Sequence, residues 1–218
     1  MMRCDDLAAT AAFVVHSPVR WDAAWQRPQE IFSRLARTCD VLYVERPVFL
    51  DDVRRPALDC TEPMPGIHRI VPRLPVMYAT IEHAAQMMVR TLLLEWIDAN
   101  AECRARFESP IQWYGTATPA PVMLDAFDAR AIVYDRVTDE DLEDQTRASV
   151  DDAVHRSERP GTAATDTHHQ RCLGERLLLA HADIVFSTGR TLSEKTQACW
   201  ERMVAEMLCL ARLPFRTA

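Results

Sequence analysis

Residues 11–47 read AAFVVHSPVRWDAAWQRPQEIFSRLARTCDVLYVERP. An apolar run, Ala11–Val15, precedes a polar stretch holding Trp21 and Trp25. Pro28, Ile31, Phe32 and Leu35 follow, and then a second apolar run, Val41–Val44. Both runs are short, rich in β-branched and aromatic residues, and without apolar–polar alternation, as in strands covered on both faces. Pro28 suits the first turn of a helix, where its missing N–H costs nothing, and Ile31, Phe32 and Leu35 then share one face. Strand, helix and strand in this order predict a parallel βαβ unit.

The alternation continues outward. Ile67–Val71, Ile111–Tyr114, Ala131–Tyr134 and Ile184–Ser187 read as further buried strands. Ile81, Ala85, Met88, Leu92 and Trp96 mark a long amphipathic helix over Ala79–Arg106. Ala120–Ala126 reads as a short helix, Gln170–His181 as another, and Thr191–Ala211 as a last one. The expected fold class is α/β, a doubly wound, mostly parallel Rossmann-like sheet. Glu45–Gly66, with four prolines, reads as a long loop, and polar Glu143–Thr167 as a mobile one.

The chain has 218 residues, enough for one large domain. Its formal net charge of −7 disfavours nucleic acid and anionic membranes as partners. Seven cysteines, an odd number and without a CxxC pair, fit a reducing compartment, so a cytoplasmic location is expected. The acidic pair Asp5–Asp6 ahead of a short apolar run makes a poor signal peptide, and no apolar stretch has the length of a membrane span.

Ligands of open α/β sheets bind beyond the carboxyl ends of the strands. His16 ends the first strand there, and the segment after it leads into a helix whose first N–H groups can meet an anion. GxGxxG and GxxxxGK[ST] phosphate loops are absent from the sequence, which argues against a nucleotide-binding Rossmann or P-loop enzyme. Asp135 sits directly on a strand tip, placed to bind sugar hydroxyls, ligate a cation or act as a base. Asp139, Glu140 and Asp141 follow, and the aspartates read equally well as first-turn helix residues. Glu45 also follows a strand, facing the same crevice or pairing with an arginine. Ser187, Thr188 and Gly189 form an anion cradle or an ordinary strand-to-helix turn. Trp21 and Trp25 face a ligand or pack beneath the loop. The histidines form no metal set, no GxSxG elbow occurs, and no metal site is expected.

Several of these segments resemble the N-terminal domain of bacterial GT-B glycosyltransferases of the family 4-like, teichuronic-acid type. They are WDAAWQRPQEIFSRLA (Trp21–Ala36), VLYVERP (Val41–Pro47), VPRLPV (Val71–Val76), QWYGTATPA (Gln112–Ala120), AIVYD (Ala131–Asp135) and GERLLLAHADIVFSTGRTLSEK (Gly174–Lys195). The order is the family's, and the matches cover residues 11–195. After the YD strand the family usually continues C-M-D-E, where this chain has Arg136-Val137-Thr138-Asp139-Glu140.

The resemblance implies an acceptor-side domain over residues 1–195, followed by a divergent helical tail over 196–218, with the family's donor domain absent from the sequence. The implied function is that of a truncated or split sugar transferase acting on polysaccharide or envelope glycan. The alternatives are a non-catalytic saccharide-binding module and a non-functional remnant. Asp135 and Glu140 would orient the acceptor or serve as base. His16, Trp21, Asp22, Gln26, Arg27, Glu45 and Asp139 would contact the acceptor, with Trp21 stacking on a sugar face. Ser187, Thr188 and Gly189 would meet phosphate or the second domain. The partner would be a saccharide or lipid-linked acceptor. No cofactor would be held tightly, and a nucleotide-sugar donor would enter only with a second domain or chain. Self-association through the tail's apolar stripe is a further expected route to a partner.

Overall fold

The computed structural model describes residues 11–136 and 161–187. In chain order the elements are β1 (Ala12–His16), α1 (Arg27–Leu35), β2 (Asp40–Val44), β3 (Val48–Leu50), β4 (Ala57–Met64) and β5 (Ile67–Pro75). A 3₁₀ turn (Val76–Thr80), α2 (Glu82–Asp98), α3 (Ala101–Arg106), β6 (Ile111–Tyr114) and α4 (Ala120–Met123) follow. The series closes with β7 (Ala131–Arg136), α5 (Gly161–His181) and β8 (Ile184–Ser187).

The strands form one sheet in the order β3-β5-β2-β1-β6-β7-β8, with β4 added antiparallel to β5. Every other pairing is parallel. From β1 the chain builds outward through β2 and β5, then returns to the other side of β1 for β6, β7 and β8. The reversal of direction lies between β1 and β6, and β1 sits at the centre of the sheet. This is the doubly wound, mostly parallel α/β fold.

The near-continuous apolar strands are explained by packing on both faces. Phe13, Val15, Val41, Tyr43, Trp113 and Val133 point to one side and meet Ile31, Phe32 and Leu35 of α1. Val14, Leu42, Val44, Ile70 and Tyr114 point to the other, where Ala85, Val89, Leu93 and Ile97 of α2 and Leu178 of α5 cover them. Each apolar side chain of this size that is fully buried contributes roughly 1.5–3 kcal/mol.

Four expectations change. Glu45–Gly66 is not a loop throughout, because it contains β3 and β4. β4 is an edge strand, ALDCTEPM, largely exposed and polar, where a proline is tolerated and charge discourages further pairing. It turns into β5 at Gly66, whose φ of +82° disfavours a side chain. The long helix is two helices, because Asn100 caps α3 by accepting from the N–H groups of Glu102 at 2.9 Å and Cys103 at 3.3 Å. The buried stripe of α2 is Ala85, Val89, Leu93 and Ile97, one position beyond most of the expected one, and Ile81 is exposed. Finally, α5 starts at Gly161, so residues 161–167 are helical rather than loop. Asp166 of α5 accepts from the Glu82 N–H, and Thr167 donates to Glu82 Oε2 at 3.0 Å, tying α5 to the start of α2. The tail helix over 191–211 and residues 143–160 lie outside the described residues.

Candidate functional site

The loop from β1 to α1 is held by a buried ion cluster at the carboxyl end of β2. The Glu45 side chain is fully buried. Its Oε1 accepts from the Trp21 N–H at 2.8 Å and from Arg69 Nε at 2.6 Å. Its Oε2 accepts from Arg20 Nη1 and from Arg69 Nη2, each at 3.2 Å. Arg69 Nη2 also donates to the exposed Asp22 at 3.0 Å. Both oxygens of Glu45 are thus committed to the scaffold, and the arginines offset the cost of burying its charge. The start of the loop is fastened separately: Ser17 Oγ and Tyr43 OH lie 2.6 Å apart, and Tyr43 OH donates to Val19 O at 2.9 Å.

Gln26 is the N-cap of α1, and its N–H donates to Gln29 Oε1 at 3.1 Å. Gln29 Nε2 reaches back to Arg20 O at 3.0 Å. These bonds place Arg27 on the first turn of α1. Its Nη2 stands 3.2 Å from Asp135 Oδ1 at the tip of β7. The alignment is poor, and Oδ1 accepts no hydrogen bond among the described residues although it is buried. Burial raises the Asp135 carboxyl to about 6, and the Arg27 guanidinium pulls against that rise.

His16 ends β1 on the opposite face of the sheet. Its ring stacks on Tyr114 with centroids 4.8 Å apart. Its Nε2 is buried without a hydrogen-bond partner among the described residues. Burial lowers its pKa to about 3, so the ring is neutral at ordinary pH. Beside it the loops after β1 and β6 touch. The Gly115 N–H donates to His16 O at 2.9 Å, and a Cβ on Gly115 would lie 3.0 Å from Pro18 Cδ. This contact lies at the reversal of strand order, where α/β sheets bind ligands.

The sequence-predicted residues therefore separate into groups. Asp135 and Arg27 meet, and Ser187 ends β8 beside them, in register with Arg136. Glu45, Asp22 and Gln26 sit near the same loop but are engaged in ion pairing or capping. Trp21 is not open to a sugar, because it is only 8% exposed and packs edge-on against Tyr43 at 5.1 Å. Trp25, which the sequence left undecided, is the exposed indole of the loop. Asp139, Glu140, Thr188 and Gly189 lie outside the described residues. Of the two readings of Glu45, pairing with arginine is the one the structure shows, but the partners Arg20 and Arg69 were not singled out; the alternation of β5 that puts Arg69 and Ile67 on one face was the available signal.

A concavity of about 450 Å³ opens between α2, α4 and α5, away from Asp135 and Arg27, lined by Met87, Ala120, Pro121, Leu177 and others. Arg90 on its wall is held by Val122 O and Asp125 Oδ1, each at 2.7 Å. It receives none of the predicted residues. Among the described residues, no group of three or more His, Cys, Asp or Glu is arranged to hold a metal ion, and no helix is long and apolar enough to cross a membrane.

Comparison with known protein families, with characterised proteins and with solved structures finds no match to this chain.

Proposed function

We propose that this chain is the acceptor-binding domain of a sugar transferase, with its saccharide site at the carboxyl edge of the sheet around Asp135 and Arg27. The observation that carries this reading is the buried Asp135 carboxyl, which has an oxygen without a hydrogen bond at a strand tip and a guanidinium 3.2 Å away. A carboxylate beside a guanidinium offers acceptors and donors side by side, the combination that vicinal hydroxyls require. The motif resemblance supports the same assignment.

In transfer, Asp135 takes the proton of the acceptor hydroxyl as that oxygen bonds to the anomeric carbon of the donor. The nucleoside diphosphate leaves with the bonding electrons. A carboxyl raised to about 6 is ionised at neutral pH yet more basic than an ordinary one, which favours this role. Arg27 orients the hydroxyl and limits the rise. The nucleotide-sugar is brought by a second domain or chain, as in the family resembled.

Calorimetric titration with glucan, chitin and uronic-acid oligosaccharides tests the reading. The expected result is binding at pH 7.5 that Asp135→Asn weakens at least tenfold. A folded chain that binds no saccharide contradicts it. The non-catalytic alternative shares this site; donor-dependent transfer, with the donor domain supplied, separates the two.

A further inference from the structure

Trp25 is a large apolar side chain left 58% exposed in a loop that is otherwise tied down. It is not loose. Its Nε1 donates to Glu30 Oε2 at 2.9 Å, and Glu30 in turn pairs with Arg34 one turn along α1. Its ring also meets Trp21 edge-to-face, with centroids 5.8 Å apart and planes at 76°. Trp21 is itself anchored through its backbone by the buried Glu45. Two independent contacts thus hold the indole while most of the residue faces solvent. The N–H is already satisfied, so what remains for a ligand is the π-face. Trp25 stands two residues before Arg27, immediately ahead of the Gln26 cap.

We propose that Trp25 is a stacking platform for one pyranose ring of the bound glycan, the ring next to the one that Asp135 and Arg27 hold. This rests on the saccharide-site reading above. A pyranose presents a face of C–H groups that fits an aromatic plane, while its hydroxyls point outward to polar partners. A platform held before binding costs little side-chain entropy when the ligand arrives. A hydrogen bond from Nε1 to Glu30 would be of no use for recognising an apolar surface, but it helps hold the ring in place before a ligand arrives.

The test compares the wild-type chain with Trp25→Ala, Trp25→Phe and Asp135→Asn. Maltohexaose, cellohexaose, chitohexaose and hexagalacturonate are titrated calorimetrically, and sedimentation velocity is run on each variant. The inference expects Trp25→Ala to weaken the best oligosaccharide about tenfold or more and Trp25→Phe to lose about threefold or less. Monosaccharide affinity should hardly change. If Asp135→Asn weakens binding and Trp25→Ala does not, the platform is overturned and the saccharide site stands. If the wild type binds none of the four probes, both readings fall. If Trp25→Ala abolishes a dimer without altering saccharide affinity, the indole serves a second copy of the chain and the platform is overturned.

Discussion

Arg27 and Asp135 come together from opposite ends of the folding unit: one from the first turn of α1, the other from the tip of β7, 3.2 Å apart and poorly aligned for a hydrogen bond. The contact is an ion pair that leaves the buried carboxylate oxygen Asp135 Oδ1 without a hydrogen bond among the described residues, an exception in a folded protein that calls for an explanation. The Glu45 cluster shows the contrast. There four hydrogen bonds saturate a buried carboxylate and fasten a loop.

Removing the guanidinium should raise the Asp135 carboxyl further above about 6, because burial then acts without the opposing charge. A ¹³C-detected pH titration of Asp135 in Arg27→Met checks this. An unchanged midpoint would mean that the pair is not electrostatically coupled.

His16 and Asp135 should work against one another in acid. The His16 pKa is lowered to about 3 by burial, so the unfolded chain binds the extra proton and stability falls as pH drops below about 6.5. The Asp135 pKa is raised to about 6, so the folded chain binds the extra proton and stability rises as pH drops from about 6 to about 4. Relative to the wild type, Asp135→Asn should lose up to about 1.4 kcal/mol more for each pH unit of acidification in that window, and His16→Asn correspondingly less. Urea denaturation at several pH values reads both slopes. Equal slopes in all three proteins would contradict the assignment.

Glu45→Gln should destabilise the fold by about 2–4 kcal/mol, since it leaves Arg69 and Arg20 without their shared anion. Chemical denaturation measures the cost. A loss below about 0.5 kcal/mol would show that the cluster does not hold the loop.

The register of α2 gives a packing test. Leu93 is fully buried, whereas Leu92 is only partly so. Leu93→Ala should cost about 2–4 kcal/mol and Leu92→Ala about half as much. The reverse order would restore the stripe through Leu92 that the sequence suggests.

Gly174→Ala should be among the most damaging small substitutions. A Cβ there would lie 1.9 Å from Ala117 O, a backbone atom of the loop before α4, so that loop or α5 would have to move. A loss of about 2–3 kcal/mol is expected, read by thermal or chemical unfolding, and a neutral outcome would contradict the close approach of α5 to this loop.

The central strands were legible because burial on both faces makes each a continuous apolar run; all six expected strands are present with ends moved by at most a few residues. β4 was hidden for the opposite reason, since an exposed edge strand carrying Asp59, Glu62 and Pro63 looks like a loop. The α2 stripe slipped because Leu92, Leu93 and Leu94 are adjacent, and only the packed structure chooses among them. The place of Asp135 at a strand tip was readable from the apolar run before it. Which tryptophan faces solvent was not, because both belong to one polar loop and Tyr43, a strand residue, decides that Trp21 turns inward.

The most direct measurement is an NMR titration of the isotopically labelled chain with oligosaccharides, following the Asp135 carboxyl and Arg27 guanidinium signals at pH 7.5. The binding oligosaccharide is expected to shift both signals together with the Trp25 indole and to leave Glu45 and Arg69 unmoved. Binding that moves signals elsewhere while Asp135 and Arg27 stay fixed would contradict the proposed site.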